Sequence, residues 1–124
     1  MSDKRRPHHL NDFPRSARLL SAADYAAVFG KNKRLSDRHW TVLVAKGQSE
    51  EPRIGMAVAK KRAKRAVDRN RLKRIIRETF RSKKVGLVGI DIVVMNRDHS
   101  IKASNSELRD SLIRLFEKAS VSKR

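Results

Sequence analysis

The sequence predicts an α+β or α/β two-layer sandwich, a small mixed sheet packed by helices. Three observations lead there. Apolar, β-rich runs stand at 40–45, 54–59 and 87–97; stripes of helical period stand at 72–80 and 108–119; and Ser/acid pairs three residues apart precede two helix-like segments. In chain order the elements read helix, strand, strand, helix, strand, helix. Helices with one apolar stripe and a sheet of this size bury their apolar sides against each other. The 124 residues suffice for one compact domain and not comfortably for two. A hydrophobic share of 39 % against 35 % charged leaves a modest core, but its patterned blocks argue against disorder throughout.

Residues 1–17 read as a basic, irregular tail interrupted by Pro7 and Pro14. A short helix follows, with Ser21 as N-cap, Asp24 completing a capping box, four alanines favouring helix and Gly30 as its stop. Tyr25 and Phe29, four apart, share one face. Residues 34–38 allow a short extra strand that the pattern does not require. Trp40–Ala45 and Ile54–Ala59 read as strands around the hydrophilic 47–52 turn, a plausible antiparallel pair. A basic helix is expected over about 65–81, then a central apolar strand over 87–97. Ser104 and Glu107 repeat the capping box before a closing helix whose stripe is Leu108, Leu112, Leu115, Phe116 and Ala119. One domain over 18–120 results, with a short tail at 121–124.

Net charge dominates the functional reading. At +18 the chain repels itself unless a polyanion compensates, so nucleic acid leads and an anionic membrane surface comes second. Between residues 60 and 81 there are eleven Lys or Arg against two acids, yet Leu72, Ile75, Ile76, Thr79 and Phe80 form one apolar line. That line faces the sheet. Arg69, Lys73 and Arg77 run beside it, and Asn70, Arg74 and Arg81 form another row. Arg71 falls near the core boundary, its stem over apolar surface and its guanidinium outside. Like charges four apart destabilise a helix by roughly 0.2–0.5 kcal/mol per pair, and phosphate oxygens would relieve that; Glu78, four residues after Arg74, attracts it. The basic side has no Trp or Phe to enter a bilayer, which counts against the membrane. A merely solvated basic face remains the plain alternative.

Tyr25 and Phe29 admit two readings, core packing or a platform on which unpaired bases stack. Arg18, Lys31, Lys33 and Arg34 flank them, and Trp40 either joins that platform or fills the core. No cysteine is present, which excludes disulfides and thiolate metal sites. The N-terminal residues contain no apolar signal-like region and no run approaches a membrane span, so a cell-interior protein is expected. No Ser/His/Asp arrangement, HExxH or paired metal ligands appear; His39 and His99 are isolated, so no catalytic residue and no metal ligand is assigned.

The stretch Arg53-Ile-Gly-Met-Ala-Val-Ala-Lys-Lys61, then Ala66-Val67, Arg69-Asn70-Arg71, Lys73-Arg74, Arg77-Glu78 and Phe80, resembles the protein subunit of bacterial ribonuclease P. Arg18-Leu19, Asp24-Tyr25 with Val28-Phe29, and Gly89-x-Asp91-Ile-Val-Val extend the resemblance over most of the chain. It implies a small α/β sandwich with a left-handed βαβ crossover through the basic helix, where the usual expectation is right-handed. It implies a cytoplasmic ribonucleoprotein that removes the 5′ leader of precursor tRNA endonucleolytically and leaves a 5′ phosphate. The catalytic component is an RNA subunit using Mg2+, and no obligate protein partner or membrane is implied. By position, Lys60, Lys61, Arg65, Arg69, Asn70, Arg71, Lys73, Arg74 and Arg77 would face that RNA. Arg18, Tyr25, Phe29, Arg34 and Trp40 would hold the leader. Tyr25 stands where Phe is common and Leu43 where an aromatic is frequent. The rival classes are a structural RNA-binding protein and a nuclease active without RNA.

Overall fold

The computed structural model describes residues 17–19, 21–47, 50–98 and 100–122. Helix α1 spans Ala22–Gly30, strands β1 Lys33–Ser36, β2 Trp40–Lys46 and β3 Arg53–Ala57, helix α2 Ala66–Lys83, strand β4 Ile90–Asn96 and helix α3 Asn105–Ser122. Short 3-10 turns at Lys84–Leu87 and Ser100–Lys102 join the later elements. The sheet order is β1-β2-β4-β3. β4 runs antiparallel to β2 and parallel to β3, so α2 bridges two adjacent parallel strands.

The expected β2–β3 pairing does not form, because β4 inserts between them. The reason lies in burial: five consecutive residues of β4, Ile90–Val94, are buried, and such a strand belongs at the centre, where both of its faces are covered. A strand does form at 33–36, pairing with β2 as the outer member of a hairpin. Residues 87–89, expected within β4, instead turn. Gly89 adopts φ +82°, a conformation glycine takes without a Cβ penalty. Its N–H donates to the Glu50 carbonyl at 2.8 Å, and its carbonyl accepts from Gly47 N–H at 2.9 Å.

Pleating gives the sheet two different faces. Trp40, Val42, Val44, Ile54, Ile92 and Val94 point to the face covered by α2 and α3, whose apolar stripes interlock with them in the main core. Leu72, Ile75, Ile76, Thr79 and Phe80 are all buried, as are Leu108, Leu112, Leu115, Phe116 and Ala119. Phe80 and Phe116 meet edge to face, with centroids 6.5 Å apart. The opposite face is covered by α1, where Val28 packs on Leu19, Leu43 and Val93 in a second, smaller cluster. Helices thus lie on both sides of the sheet.

Both capping boxes form. Ser21 Oγ accepts from Asp24 N–H at 3.0 Å and Asp24 Oδ2 from Ser21 N–H at 3.3 Å. Ser104 and Glu107 repeat this at 3.1 and 2.8 Å. Gly30 ends α1 without a left-handed turn; Asn32 does the capping, its Nδ2 donating to the carbonyls of Val28 and Phe29. The tail assignment of 1–16 lies outside the described residues, whereas Ala17 is buried in the main core. At the other end α3 continues through Val121 and Ser122.

Candidate nucleic-acid interface

Helix α2 presents its charges in three rows with different fates. Asn70 and Arg74 occupy the exposed crest, opposite the buried stripe. Lys73 and Arg77 lie half-buried on the flank away from α3, and Lys60, Lys61 and Arg65 are exposed in the approach to the helix. Arg71 lies on the α3 flank. Its guanidinium does not point outside as expected: Nη1 donates to Asn105 Oδ1 at 2.6 Å and to the Ala103 carbonyl at 3.3 Å, and Nη2 donates to the Ile101 carbonyl at 3.1 Å. The unpaired carbonyls of the loop entering α3 draw it inward. Glu78 likewise turns to α3, meeting Arg109 at 3.5 Å. Arg69 Nη1 folds back to the carbonyls of Ala63 and Lys64 at 2.9 and 2.7 Å, bracing the turn that starts α2. Within Arg69-Asn70-Arg71, then, both arginines brace the backbone and the asparagine is outermost.

That approach turn has a second brace. Asn96, at the end of β4 and fully buried, accepts from Ala59 N–H at 2.7 Å. Sequence reasoning missed this residue, since a polar side chain ending an apolar strand reads as the start of a loop.

Around α1 the aromatic pair divides. Tyr25 is half-buried, its ring lying on Gly55 of β3 so closely that a methyl group there would fall 2.5 Å from Cε1. Phe29 stays 48 % exposed, the only aromatic side chain with a large free surface among the described residues. Arg34 is exposed on β1 opposite Leu43, on the same sheet face as α1. Arg18 runs beside β3, bridged to Ile54, with Leu19 N–H donating to the Ile54 carbonyl at 3.0 Å.

Trp40 does not belong to this surface. It is wholly buried on the opposite face, and its Nε1 donates to the Leu108 carbonyl at 3.0 Å. The strand register settles this: Trp40 shares its face with Val42 and Val44, which α2 and α3 cover. Its place is partly taken by residues that sequence reasoning did not assign to the leader. Thr41, Arg62, Met95 and Arg97 join the expected Arg34 in lining a polar hollow of about 240 Å³ on the α1 face, with Asp98 at its edge. Asp98 pairs with Arg62 at 3.1 Å. Only the pairing of Thr41 with Met95 brings these arginines, distant in sequence, to one place.

Two ion-pair and hydrogen-bond centres hold the frame. Arg53 bonds Asp91 through two N–H groups and lies 3.6 Å from Asp24 of α1, and this pairing, outweighing partial burial, raises its pKa. Burial by itself pushes Asp37 up, but the Ser111 hydroxyl and the N–H groups of His39 and Trp40 outweigh it and hold the carboxyl below its ordinary value. Among the described residues no group of three or more His, Asp or Glu could hold a metal ion. Likewise no helix among them is long and apolar enough to cross a membrane.

The molecule is thus a small basic α+β domain, with a charged helix crest on one side of its sheet, and an exposed phenylalanine and an arginine-lined hollow on the other. Residues 13–120 match the family model for ribonuclease P. The ribonuclease P protein component of Thioalkalivibrio sulfidiphilus is 44 % identical over 87 % of this chain and 90 % of its own length. That of Aliivibrio fischeri is 39 % identical over 88 % and 93 %. Among solved structures, the RNase P protein of Staphylococcus aureus superposes with a TM-score of 0.77 at 28 % identity, covering 83 % of this chain and 94 % of that one. The Thermotoga maritima RNase P protein gives 0.73 at 31 % identity, covering 82 % and 96 %. The chain belongs to the ribonuclease P protein family.

Proposed function

We propose that this chain is the protein subunit of a cytoplasmic ribonucleoprotein that removes the 5′ leader of precursor tRNA, leaving a 5′ phosphate. The RNA subunit supplies catalysis with Mg2+, and the protein binds both that RNA and the leader. The observation that carries the reading is the division of surfaces. The apolar stripe of α2 is locked into the core, so the crest of Asn70 and Arg74, flanked by Lys73 and Arg77, stands as a preformed basic face. A preformed face meets phosphates without first ordering long side chains on a flexible segment. Lys60, Lys61 and Arg65 extend it toward the end of β3.

The leader lies on the α1 face of the sheet. An unpaired base stacks on the free side of Phe29, with Tyr25 fixing the helix against Gly55 and Arg34, Arg62 and Arg97 meeting phosphates. Arg18 borders this path, whereas Trp40 supports it only from beneath. Arg69 and Arg71 serve mainly to hold α2 and α3 in place.

The test is leader removal from precursor tRNA by the catalytic RNA of the same cell at low magnesium, with and without the purified protein. Stimulation is expected, as is no cleavage by the protein without RNA. Phe29→Ala should reduce discrimination between leader-bearing and mature tRNA about tenfold, one stacked base. A protein that leaves cleavage unchanged would sink the reading in favour of a structural RNA-binding role.

A further inference from the structure

The sheet ends at β1, and among the described residues no strand pairs with the outer edge of Lys33–Ser36. Such an edge is a row of free backbone N–H and C=O groups, a template for one more strand. By register Lys33 and Leu35 follow Val44 and Val42 to the face that α3 covers, whereas Arg34 and Ser36 turn to the opposite face. Along the same edge α3 lays Arg114, Glu117, Lys118 and Val121, a line at spacings of three and four. With Lys33 and Leu35 they bound a groove of about 520 Å³. Its floor is aliphatic: Leu35 is half-buried against the core, and Val121 remains 60 % exposed. Its rim is basic, with Lys33, Arg114 and Lys118 all exposed. The one acid of the lining, Glu117, already meets Lys83 at 3.5 Å.

Edge and groove together decide the chemistry of an occupant. No aromatic ring lines the groove, so it lacks the platform on which an unpaired base stacks. A polypeptide strand uses both features, its backbone against β1 and its alternate side chains in the groove. A second copy of this chain is disfavoured. Pairing β1 with itself brings Lys33 and Arg34 of both copies together, and like charges destabilise a strand pair.

We propose that β1 and this groove dock an extended, acidic segment of another protein, which joins the sheet as a fifth strand. Antiparallel addition sets one residue beside each of Ser36, Leu35, Arg34 and Lys33 in that order. The segment selected therefore carries an aliphatic residue followed by two acids. Helix α3 packs on β1 and β2 and α2 on β3, so a docked segment leaves the crest of Asn70 and Arg74 open to RNA.

The probe is a fluorescein-labelled peptide of about ten residues with Ile-Glu-Glu at its centre. It is titrated into the protein assembled with its catalytic RNA, so that the basic helix is already occupied, and followed by anisotropy. Saturable binding is expected, and a scrambled peptide should not bind. The same peptide N-methylated at both glutamates keeps its charge but loses backbone donors, and should bind about tenfold more weakly. Arg114→Glu/Val121→Glu, both exposed on α3, should weaken the parent peptide about tenfold and leave leader removal unchanged. Lys102→Glu, exposed outside the groove, should change neither. Equal binding of the scrambled or N-methylated peptide would reduce the effect to charge adhesion and overturn the site, as would equal binding by the groove variant. Displacement of the peptide by oligouridine would give the groove to RNA. A dimer of the free protein that Val121→Glu dissolves would give it to a second copy; either result overturns the proposal. The N-methylated peptide carries the test on wild type by itself if the double variant proves unfolded.

Discussion

Arg53 and Asp91 are register partners on adjacent parallel strands and close a two-bond ion pair, Nε to Oδ1 at 3.1 Å and Nη2 to Oδ2 at 2.8 Å. Asp24, 3.6 Å from the same guanidinium, adds α1 to the pair. One side chain thus joins β3, β4 and the helix that roofs this sheet face. Arg53→Ala leaves the Asp91 carboxylate nearly buried and unpaired, and should lower stability by roughly 3 kcal/mol, measured by urea unfolding. Arg53→Lys keeps the charge but not the fork, and should recover only part of the loss.

Gly55 is required by its neighbour and not by its own backbone angle. A methyl group there would meet the Tyr25 ring at 2.5 Å. Gly55→Ala should therefore destabilise by about 1–3 kcal/mol, as overpacking does, and weaken leader binding by lifting α1. Adding Tyr25→Ala should restore part of the stability but not the leader affinity. Thermal melts paired with leader-binding titrations separate the two effects.

Arg71 and Arg74 are three residues apart and should behave oppositely. Arg71→Ala removes three hydrogen bonds to the entrance of α3 and should cost about 2 kcal/mol of stability. Arg74→Ala, on the exposed crest, should stay within about 0.5 kcal/mol of wild type. It should instead weaken binding to the catalytic RNA and reduce the slope of log affinity against log salt by about one. Equal melting temperatures with an unchanged salt slope would contradict the assignment of that crest to RNA.

Asp37 ties the β1–β2 turn to α3 through Ser111, and its carboxyl titrates below the ordinary value near 3.8. A depressed carboxyl contributes stability above its unfolded pKa and loses it as pH falls through the folded one. Asp37→Asn should therefore lower stability at neutral pH by about 1–2 kcal/mol. The difference from wild type should begin to shrink as pH falls past about 4, where the unfolded carboxyl takes up its proton, and disappear only below the lower pKa of the native one. Denaturant melts at neutral pH and in acid would show it.

Local signals were legible where a residue's role depends on near neighbours. The capping boxes at Ser21 and Ser104 formed as spaced, and the stripes of α2 and α3 were buried residue for residue. The crest of α2 followed from the same periodicity, since burying Leu72, Ile76 and Phe80 obliges Asn70 and Arg74 to face outward. Less legible was any role set by a distant partner. Arg71 reads as a basic residue like the others until Asn105 is brought beside it. Trp40 is ambiguous until strand register turns it away from α1, and Arg62 and Arg97 become neighbours only through the ends of β3 and β4.

The sequence by itself determined the elements, the basic helix and the family pattern, because helical and strand periods, caps and charge are properties of short windows. Only the tertiary structure decided that β4 separates β2 from β3, that α1 roofs one face of the sheet, and which arginines brace the fold. Those outcomes depend on long-range pairing and on buried carbonyls and carboxylates seeking partners, and no window of sequence contains both members of such a pair.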